Sequence, residues 1–240
     1  MSIPNILYGP PGEQFVQSSG QKRPLGTLMV LQDGRWFRYG KQGSVAQTQG
    51  KMHQSEVPLA NFAGLAISTA GVVGDNSVTF TNGGTAIGAN DFNEGYASFL
   101  DVDGEGSIMQ LGAHTASDAS VAKTLGFAPG HSLQKATTTS TTLDLVKHHM
   151  KDVILTVATP TAMPIGASSR DMTANYYGWY QTHGPASLLT AGTLVIGQLA
   201  TCITTAGAVG PAGGDLQPAV GWTMKVGATT SYSIVFMKCD

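Results

Sequence analysis

The residue types that could do chemistry are present in this 240-residue chain, but not at the spacings chemistry needs. His148 and His149 are adjacent, and two imidazoles often begin a zinc site. Neighbouring residues of a strand face opposite ways, however, and no cysteine or acidic pair at ligand spacing completes the set, so they read as histidines of a polar loop. His53, His114, His131 and His183 stand singly. Asp101, Asp103 and Glu105 open like a calcium loop, but Gly104 comes too early and no glutamate holds the twelfth place, so a turn is the better reading. Gly130-His131-Ser132-Leu133-Gln134 lacks the closing glycine of a nucleophile elbow. Gly34 to Lys41 has one residue too many between its glycines for a phosphate loop, and Gln42 stands where a magnesium-binding hydroxyl belongs. With no nucleophile–base pair and no ligand set, the expectation is a protein that is not an enzyme and carries no cofactor or metal.

Composition points to the elements that must position whatever does act. Charged residues make up 12% of the chain, about half the usual ~25%. Glycine reaches 31 residues, close to twice the usual ~7%. That balance suits short strands and many turns, and a surface that is weakly charged or covered by partners. A net charge of −2 gives no electrostatic case for nucleic acid. The one basic cluster, Lys22, Arg23, Arg35, Arg38 and Lys41, reads as solvated hairpin charge, or else as a contact for an acidic protein surface. No apolar run reaches the ~18 residues of a membrane span and no secretory leader is evident, so synthesis in the cytoplasm and no membrane partner are expected. Cys202 lies in an apolar run and reads as a small core residue, and Cys239 near the end reads as exposed. Two free thiols or one long bridge both remain open.

The most informative stretch runs from Tyr176 to Pro211. Tyr176, Tyr177, Trp179 and Tyr180 crowd around Gly178, Gly184-Pro185 should end that strand, and Thr193 to Leu199 should form another. The rings could stack on a glycan or a base, although the flanking apolar run favours a core or a subunit interface. Elsewhere Asp33-Gly34 marks a hairpin between Thr27–Leu31 and Trp36–Tyr39. Strands are expected at 64–68, 76–80, 96–102, 107–111, 221–226 and 231–237, with Tyr232, Ile234 and Phe236 on one face. Ser117 to Leu125 is the best helix candidate. Leu143–Val146 and Val153–Ala158 read as strands, with one helix over 143–154 as the rival. The expected architecture is all-β, of sandwich or barrel type, with at most one or two short helices. Its parts would be an extended N-terminal arm (1–24) and two β domains (25–135 and 136–240), the Thr/Ser-rich run at 136–142 marking the boundary.

The segment YGWYQTHGPA (Tyr177 to Ala186), the GTLVIG run after it and the AGAVGP turn resemble a group of virion proteins of environmental tailed phages, itself similar to capsid decoration, or cement, proteins. The hairpin Gly26 to Tyr39 and the stretch Glu94 to Leu111 add to the resemblance, which covers about half of the chain. It implies a structural virion protein on the capsid exterior that stabilises contacts between capsomers. The implied partners are the major capsid protein and further copies of this chain, a trimer being what a local three-fold axis would require. The arm would reach a neighbouring subunit. Contacts are expected at Ile6, Leu7, Tyr8 and Phe15 of the arm, at Arg35, Trp36 and Arg38 of the hairpin, and at Tyr177, Trp179 and Tyr180. The alternative is a tail- or fibre-associated module in which the Tyr/Trp rings bind host glycans.

Overall fold

Glycine and threonine, both poor helix formers, are abundant along the chain, and the computed structural model, which describes residues 6–100, 103–157, 159, 161–213 and 217–240, is all-β. Among those residues the only helical elements are single 3-10 turns at Glu13–Phe15 and Ala60–Phe62. The chain divides into two compact units, Met1–Val57 with His149–Asp240, and Pro58–His148. The first unit begins with β1 (Ile6–Tyr8), β2 (Leu28–Val30), β3 (Trp36–Lys41) and β4 (Met52–Gln54). The second contains β5 (Leu65–Thr69), β6 (Ser77–Thr81), β7 (Tyr96–Phe99), β8 (Ile108–Gln110), β9 (Ala122–Gly126) and β10 (Thr142–Val146). The chain then returns to the first unit with β11 (Ile154–Leu155), β12 (Pro164–Ser168), β13 (Tyr177–Leu189), β14 (Leu199–Cys202), β15 (Val209–Pro211), β16 (Ala219–Thr223) and β17 (Tyr232–Lys238).

The sheet of the first unit runs β1-β2-β3-β13-β17-β16-β14-β15, with β4, β11 and β12 attached beside β13. Its core gathers Leu188, Val220, Val235 and Met237 around Ala200 and Cys202. The sheet of the second unit runs β8-β7-β10-β5-β6-β9. Its edge strands meet again just past their ends, where Gly112 donates to the Gly126 carbonyl at 2.9 Å and Ala128 to that of Gln110 at 2.8 Å. The sheet therefore curls around its own core of Phe62, Phe80, Phe92, Phe99, Leu125 and Leu143, and so hides edges that would otherwise offer unpaired backbone.

One device recurs in both units. A residue makes a single antiparallel bridge, two residues pass, and a fourth turns the chain into the next strand. These turns are joined in pairs: Gln47 with Met172 and Leu194 with Gly227 in the first unit, Gly71 with Thr137 and Ile87 with Ser117 in the second. The two bridging amides of each pair donate reciprocally, at 2.7 to 3.4 Å. The fourth residues Gly50, Gly74, Asn90, Ser120, Asn175, Gly197 and Thr230 have φ between 57° and 99°, where glycine and asparagine sit most easily. Ser120 and Thr230 are held there by a crossing bond: each amide reaches the strand entering the opposite turn, at Gly83 (2.9 Å) and Thr190 (2.8 Å). The Thr137 turn is held by hydroxyls instead, Thr141 Oγ1 accepting from the Thr138 amide at 3.1 Å and Thr137 Oγ1 from that of Gly71 at 3.0 Å.

The crossed turns explain several departures from the sequence expectations. The boundary expected at 136 falls inside the second unit, because Thr137–Ser140 is one such turn and β10 lies between β7 and β5. The helix expected over Ser117–Leu125 is a turn followed by β9, since Ser120 at φ 57° cannot continue a helix and β9 pairs along β6. The strand expected over Thr193–Leu199 begins only at Leu199, the start of β14: before it Leu194 makes the bridge, Gly197 turns, and Val195 and Ile196 are exposed at the corner. Leu143–Val146 is a strand and the rival helix is absent. Gly184-Pro185 does not end the aromatic strand, which continues to Leu189. A register shift between Gln181 and His183 absorbs Gly184 at φ 90°, pairing with β3 stops at His183, and Pro185, with no amide to donate, sits where β3 has ended. The hairpins at Asp33-Gly34 and between β7 and β8 stand as expected, although Asp101 and Val102 lie outside the described residues.

Candidate interaction surface

Strand β17 alternates Ser233, Val235 and Met237 inward with Tyr232, Ile234 and Phe236 outward, so one strand has two largely apolar faces and can bury only one in its own core. The outward face extends sideways. Trp222 of β16 stands opposite Phe236 and Leu199, and the Met224 amide donates to the Ile234 carbonyl at 2.9 Å. Trp222 is 53% exposed, Met224 48%, Tyr232 50% and Ile234 41%, well beyond the scattered single side chains of an ordinary surface. On β13 the row continues through His183, whose ring meets Phe236 edge-on at 5.1 Å and stacks on Trp36 at 4.7 Å. A band of rings thus crosses β3, β13, β17 and β16. Sequence reasoning placed Tyr232, Ile234 and Phe236 together but passed over Trp222 and Met224, which the alternation Trp222-Thr223-Met224-Lys225-Val226 could have revealed.

The other expected contact residues divide. Trp179 and Tyr180 are buried (1% and 0% exposed), because this half of β13 is flanked by β3 and β12; they are core residues, not interface. The Tyr180 hydroxyl donates to Gln42 Oε1 at 2.9 Å and Trp179 meets Tyr39 edge-on. Tyr177 is half-buried and stacks on Tyr39. Arg35 pairs with Asp33 at 2.8 Å and Arg38 with Asp240 at 2.7 Å, while Lys41 reaches Asp152 at 2.6 Å and Arg23 reaches Glu13 at 3.9 Å. The basic cluster is therefore largely neutralised within the chain. The described part of the arm lies on its own unit instead of extending away. Strand β1 pairs in parallel with β2, Ser18 and Tyr177 exchange bonds at 2.8 and 2.9 Å, and Arg170 donates to the Phe15 carbonyl. Leu7 packs on the core, whereas Ile6, Tyr8 and Phe15 remain exposed.

Beside the ring band, where β3 ends and β13 continues, a cleft of about 330 Å³ opens between Phe15, Gln49, Ser168, Gln181, Pro185 and Tyr232. No known protein family, curated protein or solved structure matches the chain.

Among the described residues no group of three or more His, Cys, Asp or Glu could hold a metal ion. His148 and Leu145 are buried in the second unit, where His148 stacks on Tyr96. The thiols are both free. Cys202 is buried, and Cys239, expected to be exposed, is half-buried against the same core. Burial pushes the Cys202 thiol up to about 11, a Thr156 hydrogen bond opposing, and pushes Cys239 to about 12 with help from Cys202 and Asp240. A chromogenic disulfide reagent at pH 8 is therefore expected to titrate neither thiol in the native protein and both after denaturation. Fast reaction of one thiol under native conditions would contradict this packing.

Proposed function

We propose that the chain is a structural virion protein that decorates the outside of a tailed-phage head, assembles with copies of itself, and stabilises the contacts between capsomers. The observation that carries this reading is the outward band of Trp222, Met224, Tyr232 and Ile234, the kind of apolar anchor that becomes the buried centre of a protein–protein contact. Three further features support it. The low charge fits a surface covered by partners, the crossed turns brace hairpin corners through backbone bonds, and the sequence motifs of β13 and of the first hairpin resemble decoration proteins. The alternative of glycan stacking on the Tyr177–Tyr180 rings lacks a surface, because Trp179 and Tyr180 are core.

A double substitution, Trp222→Ser with Ile234→Ser, tests the reading without touching the core. The parent is expected to self-associate in sedimentation velocity and to co-sediment with expanded heads of the phage that encodes it. The variant should keep the parent's melting temperature and lose both associations, by about a hundredfold in affinity for two truncated central anchors. A parent that stays monomeric and does not bind heads would sink the proposal.

A further inference from the structure

Charge is divided unevenly between the two units. Pro58–His148 has eight acidic residues against three lysines, a formal charge of −5, whereas the first unit has seven acidic against ten basic residues, a formal charge of +3. Several carboxylates of the second unit are already used: Asp75, Asp91 and Asp144 each accept a backbone amide at 2.7 to 2.8 Å. Asp103 and Glu105, at the tip of the β7–β8 hairpin, are exposed, and neither carboxylate has a partner among the described residues. Lys135, just before the Thr137 turn that packs on Gly104, pairs with neither. The same tip is apolar on its outer face. Ile108 stands opposite Ser98, Leu100 follows Ser98 on that face by period two, and they are 60% and 41% exposed. Two free carboxylates therefore lie between two exposed aliphatic side chains.

The ring band carries the opposite charge. Lys238 follows Phe236 on the outer face of β17. Lys225 adjoins Met224, and both amides reach the Ile234 carbonyl, at 3.3 and 2.9 Å. Both lysines are exposed and neither has an acidic partner among the described residues. Asp240, two residues beyond Lys238, is taken up by Arg38 at 2.7 Å and Thr182 at 2.6 Å. Asp215 is the only acidic residue in the sequence between Asp171 and Asp240. An exposed apolar centre with a cationic rim fits an apolar centre with an anionic rim. The same chain carries that complement, so a second copy meets both requirements.

From this we infer that the β7–β8 hairpin of one copy docks on the ring band of the next, Leu100 and Ile108 against Trp222 and Ile234, with Asp103 and Glu105 beside Lys225 and Lys238. The inference rests on the reading of the band as a protein contact and names what covers it. Two different surfaces meet, so copies add head to tail and close into a ring where the rotation allows. The apolar anchors supply the affinity, and the charges set the register and the rate of encounter.

Sedimentation velocity on the full chain with paired charge reversals is the test. Asp103→Lys with Glu105→Lys, and separately Lys225→Glu with Lys238→Glu, should each keep the parent's melting temperature and self-associate about a hundredfold more weakly. An equimolar mixture of the two variants, in which unlike charges again meet at every contact, should associate within about tenfold of the parent. So should a chain with all four substitutions, a recovery that a misfolded variant would not show. Association of the parent should also weaken severalfold between about 50 and 500 mM sodium chloride. A hairpin variant that associates like the parent, while Trp222→Ser with Ile234→Ser does not, would overturn this docking and leave the band as a contact of another kind. No recovery in the mixture and the fourfold variant would overturn it as well. A monomeric parent that still binds heads would overturn it and leave the capsid reading standing. Association unchanged by every one of these substitutions would overturn both.

Discussion

A Gly221→Ala variant is expected to melt roughly 10 °C below the parent, because a single methyl group at this position has nowhere to go. Gly221 sits in β16 between Ala200 of β14 and Met237 of β17. A Cβ built on it would stand 1.9 Å from the Phe236 carbonyl oxygen, 2.8 Å from its carbon and 2.9 Å from Met237 Cα. All three are backbone atoms of the adjoining strand, so no side-chain rotation relieves the clash and β16 must draw away from β17. Overpacking of this kind costs about 1–3 kcal/mol, and each ladder bond lost on separation adds about 0.5–1.5 kcal/mol, so a total near 3–5 kcal/mol follows. Gly126 provides the matched control: it too lies in a strand, but a Cβ there would meet nothing within 4 Å, and Gly126→Ala should change stability by less than about 1 kcal/mol. Thermal melts of the two variants, with amide exchange across Tyr232–Lys238, decide the matter. Equal melting temperatures would mean that β16 and β17 do not pair in this register.

How far the chain could be read in advance follows from where its information is local. The Asp33-Gly34 hairpin, the β7–β8 hairpin and the alternation of β17 are written within about ten residues each, and the structure has them in place. The crossed turns are written in pairs that lie 30 to 125 residues apart, and neither member announces the other: Gln47-Thr-Gln-Gly50 and Met172-Thr-Ala-Asn175 share only a threonine and a turn-forming fourth residue. A reading by period therefore took Ser117–Leu125 for a helix and Thr193–Leu199 for a strand. The same limit misplaced the domain boundary, since an inserted unit is visible only when Gln47 and Met172 are known to meet. Burial was the other obscure quantity. Rings at Trp179 and at Trp222 look alike in sequence, and only the flanking strands decide that the first is core and the second exposed.

Acid should destabilise the first unit through His53. The side chain is fully buried, its ring stands edge-on to Tyr180 at 5.1 Å, and neither ring nitrogen has a hydrogen-bond partner among the described residues. Burial pulls its pKa down from 6.5 to about 4; the backbone of Lys51 opposes this, and the charge of Lys51 acts in the same direction as burial. Above pH 6.5 the ring is neutral in both folded and unfolded chains and contributes no pH dependence. As pH falls below 6.5 the unfolded chain takes up a proton that the folded chain refuses until about pH 4, so stability declines across that window and levels off below it. The full loss is about 3 kcal/mol, at about 1.4 kcal/mol per pH unit. His149, also lowered by burial and by Arg38 while Asp240 opposes, adds a decline of the same sign, so a pH profile of the parent alone does not isolate His53. Comparison with His53→Leu does. Unfolding free energies from urea melts of this variant should match or exceed the parent's at pH 7.5, since two buried polar atoms are removed, and should exceed them by about 2 kcal/mol at pH 5. Parallel profiles for the two proteins would show that the ring takes up its proton inside the fold as readily as in the unfolded chain, against the burial that lowers its pKa.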